Sequence, residues 1–548
     1  MATITGSEVL AQSLRSQGVD TLFYLMGGPM LETEAACINL GIRAIDTRHE
    51  QAAALAAHAW TRVTRRPGVC MGCSGPGTTN LLTGVANAFT DCAPLVAIGG
   101  SSPRVSFGME AFQEIDQVAV MRPVTKWAER IYDARRIPDM VATAFRQATS
   151  GRPGPVYLDL PGDVLGEKIE EDKLQYPAAW RPAPRTLGEP AAVREAIALL
   201  AGAERPVILG GSGVWWSDGA AAFQTLVEAT GIPFYTTPIS RGLVPEDHAL
   251  AFLNARSKAF AEADVVLAVG TRFNWVVQFG RPPRFAPDLK VIHVDVDPGQ
   301  LGHNRHVDVP IAGDARSVLE QLRAQAEGAV DPRRYAPWVG KLRTLDAEKS
   351  AEMDKAMSAE QAPIHPLRLC KEVRDFLQRD AILVVDGQEI LNFGRQAIST
   401  FAPGHRLNSG AFGCMGVGVP FGVGAKVAMP DTQVVVLHGD GSYGINAMEI
   451  DTAVRHKIPV IVVISNNGGW TADAPWTRPG PKPGRNLGFT RYDKVAQELG
   501  AHGEYVEKPH DIRPALERAW ASGKPAVVNV ITDRTARAQT VRFSAYTT

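Results

Sequence analysis

Short runs of consecutive apolar residues alternate with longer segments of helical periodicity along most of the chain. The clearest runs are GVCMGCS, PLVAIGG, PVYLDLP, RPVILGG, ADVVLAVG, KVIHVDV, AILVVDG, QVVVLHGDG, PVIVVISNN and AVVNVIT. Strands that are apolar on both faces are typical of parallel sheets that helices cover on either side. The pattern therefore predicts an α/β protein built from parallel sheets.

Two stretches of weak apolar periodicity divide the chain. Residues 161–190 carry mixed charges and then several prolines, and residues 326–366 are charged and end in His365-Pro366. Such segments are typical of linkers, so we expect three consecutive doubly wound parallel-sheet domains. The predicted units are residues 1–165, 190–330 and 362–533, followed by a basic tail at residues 534–548 that is a candidate lid.

The composition excludes several classes of protein. Of the 548 residues 45% are hydrophobic and 21% are charged, which is typical of a globular protein that does not lie in a membrane. The 57 basic and 58 acidic side chains give a net charge of −1, so no overall positive field favours nucleic acid. The N-terminus has no secretory pattern, and no apolar run approaches the length of a membrane span. We therefore expect a cytoplasmic protein that binds neither nucleic acid nor a membrane.

The third unit has two polar strand ends. One apolar run leads into Asp440, and the next leads into Asn467, 27 positions later. Because parallel strands end at the same edge of a sheet, these two side chains can converge. A carboxylate, an amide and a freed backbone carbonyl suit Mg²⁺, with phosphate oxygens completing its octahedron. Gly441 and Ser442 offer N–H and hydroxyl groups to a phosphate. The spacing thus predicts a site for a metal ion and a diphosphate.

GDG followed after 24 residues by NN resembles the signature of enzymes that use thiamine diphosphate (ThDP). The resemblance implies that Asp440, Asn467 and the carbonyl of Gly469 hold Mg²⁺, which anchors the cofactor. It also implies that Gly413 faces the aminopyrimidine ring and that Met415 bends the cofactor. The full set of cofactor contacts implied in this unit is Gly387, Gln388, Glu389, Gly413, Met415, Gly439, Asp440, Gly441, Ser442, Asn467, Gly469, Trp470 and Thr471. The three units would then be pyrimidine-binding, central and diphosphate-binding domains.

In the first unit, Glu50 opens an Ala-rich helical segment, RHEQAAALAAHAW. From the residues alone, a Glu in the first turn is an ordinary partner of the helix dipole. RHEQAA, however, resembles the family segment whose glutamate shares a proton with the aminopyrimidine ring, a role that apolar surroundings favour. The further cofactor contacts implied in this unit are Gly28, Ser74, Gly75 and Asn80.

The family's active sites form between two chains, so the resemblance implies that Glu50 serves the cofactor of a neighbouring chain. We therefore expect at least a homodimer, and the resemblance favours a homotetramer.

The segment EAFQEIDQ places Phe112 and Gln113 where related enzymes contact substrate. Gln113 can donate and accept hydrogen bonds without titrating, which suits the stabilisation of a developing oxyanion. The alternative, an ordinary polar loop residue, remains open.

The middle unit contains GTRFNWVVQFGRPPRFAPDLKVIHVDVDPGQLGHN, which resembles the branch of 2-hydroxyacyl-CoA lyases and oxalyl-CoA decarboxylases within the acetohydroxyacid synthase-like superfamily. In that branch, positions matching Arg152, Arg272 and Asp295 line an ADP pocket. Positions matching Arg241 and Arg395 lie on the path to coenzyme A. Basic residues near the C-terminus, Arg537 and Arg542, suit the phosphate groups of a CoA thioester, although a solvated tail is the alternative.

The resemblance favours a 2-hydroxyacyl-CoA lyase that cleaves the C1–C2 bond reversibly, giving formyl-CoA and an aldehyde or ketone. Oxalyl-CoA decarboxylase is one alternative, but that enzyme has Ile-Tyr where this chain has Trp470-Thr471, and Tyr-Glu at Phe112-Gln113. An acetolactate synthase-like carboligase is a second alternative. A non-catalytic nucleotide-binding regulatory subunit is an alternative of another class.

Overall fold

The computed structural model describes residues 3–179, 185–470, 481 and 483–538. Within these residues the chain forms three parallel sheets flanked by helices, which confirms the predicted α/β class. A short antiparallel pair joins the beginning of the first domain to its end.

The first domain is built on six parallel strands. The strands, with the antiparallel pair, are β1 (Thr3–Thr5), β2 (Thr21–Tyr24), β3 (Arg43–Asp46), β4 (Gly68–Gly72), β5 (Leu95–Ser101), β6 (Trp127–Arg130), β7 (Pro155–Pro161) and β8 (Lys168–Glu170). The helices are α1 (Gly6–Ser16), α2 (Leu31–Asn39), α3 (Glu50–Thr64), α4 (Pro76–Thr90), α5 (Gln117–Met121), α6 (Ile137–Thr149) and α7 (Gly162–Gly166). The sheet order is β3-β2-β4-β5-β7-β6, and β1 pairs with β8.

The middle domain has five parallel strands. They are β9 (Pro206–Gly210), β10 (Phe234–Thr236), β11 (Val265–Val269), β12 (Lys290–Asp295) and β13 (Val309–Ala312), in the order β10-β9-β11-β12-β13. The helices are α8 (Pro190–Gly202), α9 (Ser212–Trp216), α10 (Ala220–Thr230), α11 (Arg256–Glu262), α12 (Ala315–Ala326) and α13 (Ala336–Met357). Helix α13 lies in the stretch that we interpreted as a linker. Its buried side chains are few, among them Trp338 and Leu342, which explains its weak apolar pattern.

The third domain again has six parallel strands. They are β14 (Ile382–Asp386), β15 (Arg406–Leu407), β16 (Val434–Gly439), β17 (Ile461–Asn466), β18 (His502–Val506) and β19 (Ala526–Ile531), in the order β15-β14-β16-β17-β19-β18. The helices are α14 (Pro366–Phe376), α15 (Glu389–Ala397), α16 (Gly418–Ala428), α17 (Asp440–Tyr443), α18 (Glu449–Arg455), α19 (Tyr492–Glu498) and α20 (Ile512–Ala521).

The first and third domains share a hydrophobic core, in which α3 packs against α16. The two helices approach so closely that a Cβ atom on Gly424 would lie 2.1 Å from the carbonyl oxygen of Ala56. The middle domain has cores of its own. This packing fixes Glu50, the first residue of α3, relative to the third domain.

Among the described residues, no helix combines the length and the apolar character that a membrane crossing requires.

Candidate active site

The carboxyl ends of three neighbouring strands meet at one edge of the third sheet. Asp386 of β14 pairs with His438 of β16, and Gly439 pairs with Ser465 of β17. The loops that follow these strands therefore surround one cleft, and both Asp440 and Asn467 line it. The described residues that line it are Pro366, Gly387, Gln388, Glu389, Ile390, Met415, Gly439, Asp440, Gly441, Ser442, Ser465, Asn467, Gly469, Trp470, Asp533 and Ala536.

Asp440 has an unsatisfied carboxylate in this cleft. It is 2% exposed, and its Oδ2 atom has no hydrogen-bond partner among the described residues. Burial raises the pKa of Asp440 to about 6, although backbone N–H groups, those of Gly441, Asn467 and Gly469 among them, oppose the rise. A buried carboxylate oxygen without a partner is costly, and a bound cation would remove the cost.

The charge of the lining gives a second reason to expect a metal. Its described residues include three carboxylates, Glu389, Asp440 and Asp533, and no Lys, Arg or His. These carboxylates do not form a metal site by themselves: among the described residues, no group of three or more His, Cys, Asp or Glu side chains could hold an ion. A diphosphate could enter such a cleft only with a divalent cation, to which Asp440, Asn467 and the Gly469 carbonyl offer the oxygen ligands that Mg²⁺ prefers. The residues present therefore fit the metal and the diphosphate.

Glycine shapes the floor of the cleft. Gly387 has φ of +117°, a conformation that L side chains rarely adopt. A Cβ atom on Gly441 would lie 2.8 Å from the ring of Trp470, so this ring can cover the loop only because residue 441 is glycine. Gly413 also has positive φ, +71°, and nothing lies within 4 Å of where its Cβ would be. These positions leave backbone groups accessible to a ligand.

The first domain holds Glu50 in a defined orientation. Glu50 is 5% exposed, and the side-chain amide of Asn80 donates to its Oε2 at 2.9 Å. A Cβ atom on Gly77 would lie 3.3 Å from Oε1, so the absence of a side chain there leaves that oxygen accessible. Asn80, which we expected to contact the cofactor, thus contacts the carboxylate of Glu50.

Gln113 is held through its amide oxygen. The hydroxyl of Ser74 donates to Gln113 Oε1 at 2.6 Å, and the Ser74 amide donates to the Gly28 carbonyl at 3.3 Å. Gln113 has φ of +61°, in the left-handed region, next to Phe112, whose side chain is 86% exposed. The Gly75 amide donates to Gln117. With its oxygen engaged, the Gln113 side chain presents its N–H₂ group as a donor.

None of the first-domain residues named above is among the described residues that line the third-domain cleft. Two predicted contacts, Thr471 and Arg542, lie outside the described residues.

Three residues were predicted to bind a nucleotide, and they lie close together where the first domain meets the middle domain. Arg152 lies 3.5 Å from Asp297, and Arg272 donates to the carbonyl of Thr90. Asp295 is 7% exposed, and burial raises its pKa while the Asp297 amide, donating at 2.9 Å, opposes the rise.

The side chain of Arg241 is buried, and its guanidinium forms hydrogen bonds within the protein. It forms a buried bidentate pair with Glu246 and donates to the carbonyls of Arg395, at 3.2 Å, and Ile398, at 2.9 Å. It therefore ties the middle domain to α15 of the third.

Two further arginines lie near this contact and were not found from the sequence. The guanidinium carbons of Arg256 and Arg284 lie 5.3 and 5.9 Å from the ring centre of Phe260. Arg256 Nε is buried without a hydrogen-bond partner among the described residues. Burial, and after it the like charges of Arg284 and Arg395, lower the pKa of Arg256 to about 9. No local pattern marks these positions, because the cluster forms only when distant segments fold together.

The C-terminal segment runs along the third-domain cleft. Asp533 and Ala536 line it, and the amide of Ala538 donates to Glu389 Oε2 at 3.2 Å. Arg537 donates to the carbonyls of Arg534 and Ala536 within the same segment.

Three family profiles match the chain. They are described as "Thiamine pyrophosphate enzyme, N-terminal TPP binding domain" over residues 4–120, "Thiamine pyrophosphate enzyme, central domain" over residues 193–322, and "Thiamine pyrophosphate enzyme, C-terminal TPP binding domain" over residues 391–530.

Similar proteins divide between two activities. The acetolactate synthase large subunit of Mycobacterium tuberculosis is 39% identical over 546 residues, 97% of this chain and 96% of that protein. The 2-hydroxyacyl-CoA lyase of Arabidopsis thaliana is 35% identical over 561 residues, 99% of this chain and 98% of that protein. 2-Hydroxyacyl-CoA lyase 1 of Homo sapiens is 33% identical over 550 residues, 96% of this chain and 94% of that protein. With both cofactor-binding domains and the central domain matched, the chain belongs to the thiamine pyrophosphate (ThDP) enzyme family.

Proposed function

We propose that this chain is a ThDP- and Mg²⁺-dependent carboligase of the acetolactate synthase type. Such an enzyme transfers the acyl unit of a 2-oxo acid such as pyruvate to a second carbonyl compound, with loss of CO₂. The observation that carries the proposal is the 39% identity to an acetolactate synthase subunit over 97% of the chain. This order reverses the one that the sequence alone favoured, in which the lyase came first.

The chain's own residues have clear tasks in this reaction. Bound ThDP would supply a nucleophilic thiazolium carbon and an electron sink. Asp440, Asn467 and the Gly469 carbonyl would hold the metal, whose charge offsets the diphosphate in a cleft without described basic side chains. Because Asn80 occupies Oε2 of Glu50, Oε1 is the atom that would exchange a proton with a ring nitrogen of the aminopyrimidine.

Gln113 would stabilise negative charge on the substrate oxygen. Ser74 holds its amide oxygen, so the N–H₂ group is oriented before the charge develops. A preoriented donor needs no reorganisation in the transition state, which is the main source of this kind of stabilisation.

A second candidate, the 2-hydroxyacyl-CoA lyase, is supported by the arginine cluster. Arg256, Arg284 and Arg395 bring three like charges together, and burial, followed by the charges of Arg284 and Arg395, lowers the pKa of Arg256. Phosphate groups of a CoA thioester would relieve this repulsion. In this reading Arg241, which pairs with Glu246, supports the cluster, and Arg537 is a further candidate contact of the same ligand. For the middle domain we keep ADP as a candidate ligand of Arg152, Arg272 and Asp295.

Product analysis separates the two activities. The Mg²⁺- and ThDP-loaded protein is incubated with pyruvate and, separately, with lactoyl-, 2-hydroxyisobutyryl- and oxalyl-CoA. Acetolactate and CO₂ from pyruvate support the carboligase. If the CoA esters give formyl-CoA with an aldehyde or ketone and pyruvate is not turned over, the carboligase proposal is wrong and the lyase is the function.

A variant links each outcome to the structure. Arg256→Ala should raise KM for a CoA thioester if the lyase is correct, and should leave KM for pyruvate unchanged if the carboligase is correct. Glu50→Gln serves as the inactive control in both assays.

A further inference from the structure

The loop ahead of Glu50 contacts both the first and the third domain. Thr47, Arg48 and His49 connect β3 to α3. The Thr47 amide donates to the carbonyl of Tyr24 at 2.8 Å, and its hydroxyl donates to the His49 carbonyl at 2.9 Å. The Arg48 amide, in contrast, donates out of the first domain.

Its acceptor is Glu449, the first residue of α18 in the third domain. The two carboxylate oxygens lie 3.1 and 3.2 Å from the Arg48 amide nitrogen, although 401 positions separate the residues. Glu449 is 2% exposed, and its Oε2 also accepts the hydroxyl of Thr452 at 2.6 Å. A buried carboxylate therefore accepts the backbone amide that lies two residues before Glu50.

The surrounding ion pairs are less protected from water. Asp46 contacts Arg455 and His456, and Arg48 lies 3.7 Å from Asp451. The Arg48 side chain is 53% exposed, and those of Asp46 and Arg455 are about one-third exposed. Ion pairs that water reaches contribute little, whereas the Glu449 carboxylate that accepts the Arg48 amide is buried.

The same segment leads back to the cofactor cleft. α18 follows α17, which contains Asp440 and Ser442. Between them, the Asn446 side chain donates to the carbonyl of Gly416 at 2.7 Å, next to Met415, and the Glu449 amide donates to the Asn446 carbonyl at 3.1 Å. Glu449 is thus fixed to the cleft of its own chain on one side and to the Glu50 loop on the other.

We propose that Glu449 is a positioning residue, which holds Glu50 in its working position from the diphosphate-binding segment of the same chain. The proposal rests on the proposed role of Glu50 in proton exchange with the cofactor. Glu50 would act on the neighbouring chain's cofactor. The contact between Glu449 and Arg48 would therefore couple the conformation of one chain's diphosphate-binding cleft to proton exchange in the neighbouring chain's site.

The first test needs no cofactor. In Glu449→Ala the Arg48 amide loses its acceptor, so hydrogen–deuterium exchange of the peptide that covers residues 47–52 should accelerate by about tenfold or more. Asp451→Ala is the matched control, because it alters the same helix and loop without removing the acceptor of the Arg48 amide, and its exchange should match the wild type. Unchanged exchange in Glu449→Ala would refute the proposal.

The second test uses bound ThDP with Mg²⁺. Exchange of the thiazolium C2 hydrogen, followed by acid quench and NMR, should slow by about tenfold or more in Glu449→Ala, while the Kd for ThDP changes by less than about threefold. Glu449→Gln keeps an oxygen for the Arg48 amide and should restore most of the rate. Glu449→Asp withdraws the carboxylate without removing its charge and should fall between the two, which keeps the test valid if the alanine variant folds poorly.

Failure of this inference can be told apart from failure of the proposed function. If Glu50→Gln does not slow C2 exchange, the proposed role of Glu50 is wrong. If Glu50→Gln slows exchange and Glu449→Asp and Glu449→Ala do not, only the positioning role of Glu449 is wrong.

Discussion

The buried carboxylate of Asp440 destabilises the protein unless a cation binds to it. Its Oδ2 has no partner among the described residues, and the described lining of the cleft contains no basic side chain. The same atom therefore lowers the stability of the protein without metal and raises the stability of the metal-bound protein.

Asp440→Ala should have opposite effects on these two states. The Kd for ThDP in Mg²⁺ should rise by about 100-fold or more, because a charged ligand of the metal is lost. The empty variant should be more stable than the empty wild type by about 1–3 kcal/mol at neutral pH, because a buried group without a partner is removed. Calorimetry measures the first effect and thermal unfolding the second. An unchanged affinity for ThDP would contradict the assigned metal site.

Glu34 should make stability depend on pH. Burial raises its pKa from 4.5 to about 7, and the N–H of Gly27 opposes the rise. The folded chain therefore keeps a proton that the unfolded chain has lost, so this stabilisation is complete below pH 4.5 and is lost as the pH rises through about 7.

We expect Glu34→Gln to lose this dependence, because an amide does not titrate. The difference in unfolding free energy between variant and wild type should change by about 2–3 kcal/mol between about pH 5 and about pH 8, in favour of the variant at the higher pH. Urea unfolding at both pH values measures it. Parallel curves for the two proteins would show that Glu34 does not titrate in this range.

Residue-scale contacts were predictable from the sequence only where a strand end marked them. Asp440 and Asn467 each follow an apolar run, so sheet topology alone brings them to one cleft. Asn80 on Glu50, and Glu449 on Arg48, join segments whose approach depends on how α3 and α18 pack. No local pattern carries that information.

At the scale of elements, the ten apolar runs correspond to observed strands, and the strands they leave out are mostly sheet edges. The edge strands are β3, β6, β10, β13, β15 and β18. A central strand is covered on both faces and has to be apolar throughout, whereas an edge strand such as β6, WAER, is only half covered. The pattern therefore predicts the middle of each sheet and not its borders.

The contact between α3 and α16 should tolerate no side chain at residue 424. In Gly424→Ala the new Cβ would lie 2.1 Å from a backbone oxygen, so we expect a loss of about 1–3 kcal/mol in stability. Gly340→Ala is the matched control within α13, where nothing lies within 4 Å, and it should gain about 0.5–1 kcal/mol. Thermal unfolding compares the two. Equal melting temperatures would mean that the helices can separate without cost.

At the scale of the whole molecule, several large apolar side chains of the first domain lie in the open. They are Met26, Ile38, Val105, Met109 and Phe112, each more than half exposed. Apolar surface of this kind favours association, and no first-domain residue is among the described residues that line the third-domain cleft of the same chain. We propose that a second copy covers this surface and completes each site.

Mixing two inactive variants tests this arrangement. Glu50→Gln damages the first-domain group and Asp440→Ala the third-domain group. If each site draws one group from each chain, refolding the variants together at equal amounts should restore about a quarter of the wild-type activity, because half of the dimers are mixed and each has one intact site. The separate variants stay inactive. No recovery in the mixture would mean that each chain completes its own site.

The core that the first and third domains share sets limits on how this chain can be recombined. A recombinant fragment that contains only one of these two domains would expose the Ala-rich face of α3 or the glycine-rich face of α16 to water. The middle domain has its own apolar interior, so it is the segment that a chimaera could exchange with a relative. A chimaera could therefore exchange the middle domain with its candidate nucleotide site, whereas the two cofactor-binding domains would have to come from one parent.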